Sequence, residues 1–239
     1  MVAKLEAKGI NVAFGGLKVI ENVDLHLEKN EILGLIGPNG AGKTTFVNVL
    51  SGFLKPNAGN VYLEGRNITD ISPERRVQKG LIRTFQAVRL FGNLTVQENL
   101  EVGALAVGYS KKIAPNKVRE LMELLKITKY ADQLANALPY GFERRVGLAR
   151  ALITNPTFIM LDEPAAGLNE EEGEEFLQSV RDIKAMGCGV LLIEHNMNIV
   201  FHLCDRVQVL HSGKTLAVGE PSYIRDHEHV RTAYLGATV

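Results

Sequence analysis

The chain has 239 residues, 46% of them apolar, and its 27 Lys and Arg balance its 27 Asp and Glu. That size and apolar content suit one large domain, or one with an inserted lobe, whose core needs no disulfide. The charge balance removes any electrostatic ground for a nucleic-acid partner. Cys188 and Cys204 fit no metal-ligand spacing and read as buried thiols of a reducing compartment. The first residues lack a signal peptide's apolar stretch, and no apolar run nears the ~18 residues of a membrane span. The expectation is a soluble, cytoplasmic protein that meets a membrane only through a partner.

In chain order, residues 5–14 and 19–27 read as two strands of a β-layer joined at Gly15-Gly16. Phe14 ends the first strand, as a half-buried aromatic or as a ring that stacks on a base; position alone leaves the two even. Residues 31–36 are a short apolar run with the character of a buried strand. The run enters Gly37-Pro38-Asn39-Gly40-Ala41-Gly42-Lys43-Thr44-Thr45, which fits G-x-x-x-x-G-K-[ST]. A helix over 45–50, stopped by Gly52, follows. Strand, glycine loop and helix in that order form a phosphate cradle. The glycines let the backbone wrap a polyphosphate, and the loop amides and helix N-terminus face the anion. Lys43 adds a point charge for the terminal phosphates, and the Thr44 hydroxyl is placed to ligate Mg²⁺.

Residues 59–63 form a further strand. Ser72-Pro73-Glu74 opens a short helix with Ser72 as N-cap and Pro73 at its first position. Residues 81–85 are a strand that delivers Gln86. From 88 to 149 the pattern turns helical. Thr95 caps one helix, Pro115 opens a second whose Val118, Leu121, Met122, Leu124 and Leu125 recur at helical spacing, and a third follows Gly141. The stretch reads as a helical lobe set into an α/β frame of 1–87 and 150–239, or as connecting helices without separate identity.

The frame resumes with an apolar strand over 157–161 that ends in Asp162, with Glu163-Pro164 directly after it. A carboxylate at the end of a buried strand stands where parallel α/β sheets bind ligands, and it supplies the acid that a magnesium–nucleotide site needs beside its phosphate loop. Asn169 caps the next helix, and Glu170, Glu171 and Glu172 complement its dipole. Phe176, Leu177, Val180 and Ile183 form its inward stripe, and Gly187 ends it. Residues 189–193 are another buried strand, ending in Glu194-His195, where His195 is placed to sense a phosphate. Residues 206–210 and 215–218 make a hairpin about Ser212-Gly213, and two short helices close the chain.

Taken together and in this order, the motifs resemble the ATP-binding subunits of ABC transporters over nearly the whole chain. Phe14 matches the aromatic that stacks on adenine, Gly37 to Thr45 match Walker A, and Gln86 matches the Q-loop. Leu138-Pro139-Tyr140-Gly141-Phe142 stands where the family places its LSGGQ signature. Phe158 to Asp162 match Walker B, Glu163 the catalytic glutamate, Ala166-Gly167-Leu168-Asn169 the D-loop, and His195 the switch histidine. Arg83-Thr84-Phe85-Gln86-Ala87-Val88-Arg89-Leu90-Phe91, Asp162 to Asn169, and Ala233-Tyr234-Leu235-Gly236 look like the branched-chain amino-acid importer ATPases. The C-terminal end also resembles lipopolysaccharide-export ATPases. The signature departs from the family, with Pro139 for the usual Ser and Phe142 for the usual Gln or Glu, so a hydroxyl donor to the γ-phosphate is absent.

The resemblance implies a P-loop NTPase (RecA-like) core with an antiparallel β-layer and an inserted α-helical lobe. It implies an ATPase on the inner face of the cell membrane. Its partners would be transmembrane permease subunits and a second ATPase subunit, head to tail with two ATP molecules between them. Nucleotide contacts would come from Phe14, Val19 and residues Gly37, Pro38, Asn39, Gly40, Ala41, Gly42, Lys43, Thr44 and Thr45 of one chain. Pro139, Tyr140, Gly141, Phe142 and Asn169 would complete the site. Thr44 and Gln86 would ligate Mg²⁺ with Asp162 near it through water, Glu163 would polarise the attacking water, and His195 would touch the γ-phosphate. A soluble ABC ATPase acting on ribosomes or DNA is the other reading, but such proteins usually carry two cassettes or long coiled-coil insertions.

Overall fold

The structure is a computed structural model that describes residues 4–84, 90–110 and 112–235. Gln86 and its neighbours 85–89 lie outside the described residues. β1 (Lys4–Phe14) and β2 (Leu17–Glu28) alternate buried and more exposed positions, as a sheet with one wet face requires. β3 (Ile32–Ile36) is buried throughout, and α1 (Lys43–Ser51) follows it across the glycine loop. β4 (Ala58–Leu63), β5 (Arg66–Asn67), α2 (Pro73–Gln78) and β6 (Leu81–Arg83) lead into α3 (Val96–Ala106), α4 (Ala114–Leu124) and α5 (Tyr140–Leu152). The chain then runs β7 (Phe158–Asp162), α6 (Glu170–Ala185), β8 (Gly189–Ile193), α7 (Met197–Leu203), β9 (Arg206–His211), β10 (Lys214–Gly219), α8 (Pro221–Asp226) and α9 (Glu228–Leu235).

The strands form an antiparallel layer ordered β2-β1-β4-β5 and a six-stranded sheet ordered β10-β9-β3-β8-β7-β6. The second sheet is parallel from β9 to β6, with β10 antiparallel at its edge. β3 sends Leu33 and Leu35 into a core shared with the antiparallel layer and α1, and Ile32 and Ile36 into a core shared with α6 and the buried faces of α3 to α5. β8 lies between β3 and β7, and the register sets Leu35, Ile193 and Asp162 level with one another. The residues that follow therefore emerge at one height, in the crevice beyond the strand ends where parallel α/β sheets bind ligands.

Two local expectations need adjustment. α5 starts at Tyr140, so Gly141 falls inside its first turn. α7 goes unread in the sequence because it spans only seven residues; its signal is Asn196, whose side chain accepts from the Asn198 and Ile199 amides. The capping boxes at Thr95–Glu98 and Asn169–Glu172 form as the local chemistry demands.

Arg76 fixes the rear of α1. It is 1% exposed. Its guanidinium donates to the carbonyls of Val49 and Leu50 in the last turn of α1, and to those of Thr69 and Ile71. Terminal helix carbonyls lack intrahelical partners and carry the negative end of the dipole, so a buried cation satisfies both needs. Burial lowers the Arg76 pKa to about 10, against the pull of Asp70, and leaves the group charged at neutral pH. Arg76→Met strips those carbonyls of a charged donor. It is expected to destabilise the chain by about 3 kcal/mol, one hydrogen bond to a charged group being worth ~1.5–3 kcal/mol. A urea midpoint equal to that of the parent would refute the anchoring role.

Candidate nucleotide site

The glycine loop is gripped from two sides. Gly42 has φ of 100°, and a Cβ there would lie 2.6 Å from Ile20 Cδ1 and 3.0 Å from the Val19 carbonyl oxygen. Val19 thus lies against the loop. On the other side the Gly213 amide of the β9–β10 turn donates to the Ala41 carbonyl at 3.1 Å, and the Glu21 amide donates to the Gly213 carbonyl at 2.8 Å. Asn39 and Gly40 are exposed at the tip, Thr44 is exposed, and Thr45 is half-buried on the first turn of α1. The Lys43 ammonium folds back onto the carbonyls of Gly37 and Pro38, at 2.5 and 3.1 Å. Burial lowers its pKa, and the nearby carboxylates of Glu163 and Asp162 oppose that shift. Phe14 closes the β1–β2 hairpin opposite Leu17 and is 53% exposed. About half of its surface is open to solvent, so the ring is accessible to a base.

The strand ends bring the acidic and switch residues together. His195 Nδ1 lies 3.4 Å from Glu163 Oε1. Glu163 takes φ of 46°, a left-handed conformation rare outside glycine. The turn is held by neighbours: the Glu163 amide donates to Ile193 O at 2.9 Å, and Arg144 Nη1 donates to Glu163 O at 2.9 Å. Glu194, 2% exposed, accepts from the amides of Ala165 and His195 at 3.4 and 3.3 Å. It thereby ties the turn after β7 to the residue after β8. Asp162 forms an ion pair of 3.0 Å with Arg83. Sequence reading names Arg83, Glu194 and Gly213 but gives them no part in the site, and it passes over Arg144; the charged three stand inside or beside apolar runs.

The signature region packs on the chain's own D-loop. Gly167 has φ of 79°, and a Cβ there would lie 2.9 Å from Tyr140 Cε1. Arg144 Nη2 donates to the Tyr140 hydroxyl. Phe142 does not present its side chain as a phosphate-facing residue would. Its ring packs on Tyr130 at 4.3 Å between centroids, with Lys129 and Arg145 over it, and its amide donates to Pro139 O at 2.9 Å. An apolar ring at a position that usually carries Gln or Glu gains more by burial in the lobe than by facing water. Asn169 caps α6, its side-chain oxygen accepting from the Glu172 amide at 2.9 Å.

The Thr44 hydroxyl and the Asp162 carboxylate are hard oxygen donors. Among the described residues no three His, Cys, Asp or Glu side chains gather as a metal cluster. That donor set suits Mg²⁺, which takes one or two protein oxygens and otherwise keeps water and substrate phosphates.

A phosphate loop after β3, with a carboxylate pair one strand removed, defines a P-loop nucleotide hydrolase. Residues 20–166 match the ABC transporter family. The chain is 39% identical to the high-affinity branched-chain amino acid transport ATP-binding protein BraF of Pseudomonas aeruginosa, over 97% of each chain. It is 36% identical to the lipopolysaccharide export system ATP-binding protein LptB of Haemophilus influenzae, again over 97% of each. Among solved structures, an ATP-binding cassette of an ABC transporter in its ADP conformation superposes with a TM-score of 0.88 at 32% identity, covering 99% of this chain and 100% of the other. The chain belongs to the ABC transporter family, among its ATP-binding subunits, and is an ATPase. No described helix is long and apolar enough to cross a membrane.

Burial raises the pKa of Glu194 above 4.5, against the backbone amides that favour its charge. The unfolded chain ionises this carboxyl near 4.5 and the folded chain only at higher pH, so the parent loses stability between the two values. Glu194→Gln does not titrate. It is expected to gain stability relative to the parent as pH rises from 4.5 toward neutrality, whatever the offset at the acid end. Urea midpoints across that range give the difference, and a flat or falling one refutes the buried carboxyl's part in it.

Proposed function

We propose that the chain hydrolyses ATP to drive import of branched-chain amino acids, as a peripheral subunit on the inner face of a membrane. The observation that carries this reading is the 39% identity to BraF along 97% of both chains. The site supports the hydrolytic part. Lys43 and the loop amides bind and neutralise the terminal phosphates. Glu163 polarises the attacking water, oriented by His195 at 3.4 Å, and His195 also contacts the γ-phosphate. Thr44 and Asp162, with Gln86 from outside the described residues, would hold Mg²⁺, which supplies charge neutralisation between the terminal phosphates. Phosphoryl transfer asks for positioning and charge more than for covalent chemistry.

The 88–149 stretch acts as a lobe that presents the signature to a second ATPase subunit. Pro139 brings no hydroxyl and the Phe142 amide is already bonded, so the amides of Tyr140 and Gly141 at the α5 N-terminus serve that contact. A groove of about 1000 Å³ between lobe and frame, lined by Phe53, Val77, Val107, Arg83, Arg144 and Arg150, is the place for a permease subunit. It borders Asp162, so permease motion reaches the site. The 36% identity to LptB favours lipopolysaccharide export as the second reading. Purification of the native complex with its membrane subunits, then uptake of labelled leucine into proteoliposomes, separates the two. ATP-driven leucine uptake supports import, and ATPase stimulation by lipopolysaccharide alone overturns it.

Glu163→Gln is expected to retain ATP binding, to lower turnover by ~10²–10⁴-fold, and to elute as an ATP-bound dimer on gel filtration. A monomer with normal turnover would remove Glu163 from its role. Phe14→Ala is expected to weaken ATP and ADP alike by ~1–3 kcal/mol, the range for base–aromatic stacking. Calorimetric titration measures it, and unchanged affinity would show that the exposed ring does not stack.

A further inference from the structure

Arg83 ends β6, and the hydrolytic reading gives it no task. Its side chain is 6% exposed. Nη2 donates to Asp162 Oδ2 at 3.0 Å, while Nη1 donates to Asn48 Oδ1 at 2.6 Å and Ser51 Oγ at 3.3 Å. Asn48 and Ser51 belong to α1, whose first turn carries Lys43 and Thr44. β6 pairs with β7, with Arg83 opposite Met160. One guanidinium therefore joins the phosphate-loop helix to the strand that delivers Asp162.

The terminal torsion of an Asp side chain is broad and nearly two-fold, so the strand alone does not fix the carboxylate plane. A planar guanidinium held on α1 does, because its fork has a fixed geometry and its charge shortens and strengthens the bond.

We propose that Arg83 is a positioning residue for the magnesium site, setting the Asp162 carboxylate against α1 so that it and the Thr44 hydroxyl keep a fixed separation. This rests on the assignment of Asp162 to Mg²⁺ made above. Arg83 is assigned no contact of its own with the metal or the nucleotide. Side chains that orient a metal's ligands typically change metal affinity or activity by ~10–100-fold when removed. A guanidinium acting only as a charge would have the opposite sign, since its loss would leave Asp162 more negative and the metal better bound. The direction of the change therefore separates positioning from charge.

The test reads binding, not turnover. A non-hydrolysable ATP analogue is titrated calorimetrically into the full chain, with Mn²⁺ and in EDTA. The factor by which Mn²⁺ tightens the nucleotide equals, by linkage, the factor by which the nucleotide tightens Mn²⁺. Arg83→Met is expected to cut that factor by ~10–100-fold with the EDTA affinity unchanged. An unchanged or larger factor in Arg83→Met overturns the proposal. Asn48→Ala keeps the ion pair and removes its 2.6 Å anchor. It is expected to cut the factor less than Arg83→Met, and it decides the matter if Arg83→Met does not fold; no change there also overturns the proposal. Asp162→Asn is the control. If it leaves the factor intact, the assignment of Asp162 fails; if it abolishes the factor while Arg83→Met does not, only the role of Arg83 fails.

Discussion

A helix that offers bare amides to a polyanion has to be held from elsewhere in the fold, because the charge it binds pulls on it. Every other feature of this chain is arranged around that requirement on α1. Its C-terminal half is anchored by Arg76 at Val49 and Leu50 and by Arg83 at Asn48 and Ser51, and the loop before it by β2 and the Gly213 turn. The sheet then fixes where the chemistry stands relative to the helix. With β8 between β3 and β7, Glu163 and His195 emerge level with the loop and within 3.4 Å of each other. The left-handed Glu163 is maintained by contacts from three directions: Ile193 O, the Arg144 guanidinium, and the Glu194 carboxyl one residue beyond Pro164. Such conformations persist where the surroundings over-determine them, and they cluster at active sites.

What the sequence shows plainly is what local chemistry decides. The glycine loop, the capping boxes, the buried strands and the order of the motifs are all set by residues within a few positions of one another. The supporting polar contacts are set by the tertiary fold. Arg76 meets Val49 across 27 positions and Arg83 meets Asp162 across 79. A lone arginine in sequence reads as solvated, and only the fold turns it inward. Phe142 is only partly legible for a related reason: motif position points it at the partner, while within the chain its ring packs on Tyr130. Phe14 is undecided by position alone for the same reason, and only the fold shows that the hairpin end leaves its ring 53% exposed.

The signature helix and the D-loop are in contact within one chain. Tyr140 sits on Gly167, Gly141 sits within reach of Leu168, and Arg144 reaches the carbonyls of Glu163 and Pro164. α5 is therefore held by more than its chain connections, because its first turns are keyed into the turn that carries Glu163.

The buried guanidinium behind α1 also bears on ionic strength. Exposed pairs such as Lys18–Glu21 and Lys55–Asp70 stand in solvent, where mobile ions at about 0.15 M screen charge over ~8 Å. Arg76, with 1% of its surface in contact with water, donates to carbonyl oxygens that are shielded with it. Added salt thus weakens the outer shell of charges more than it weakens the rear mounting of the phosphate helix.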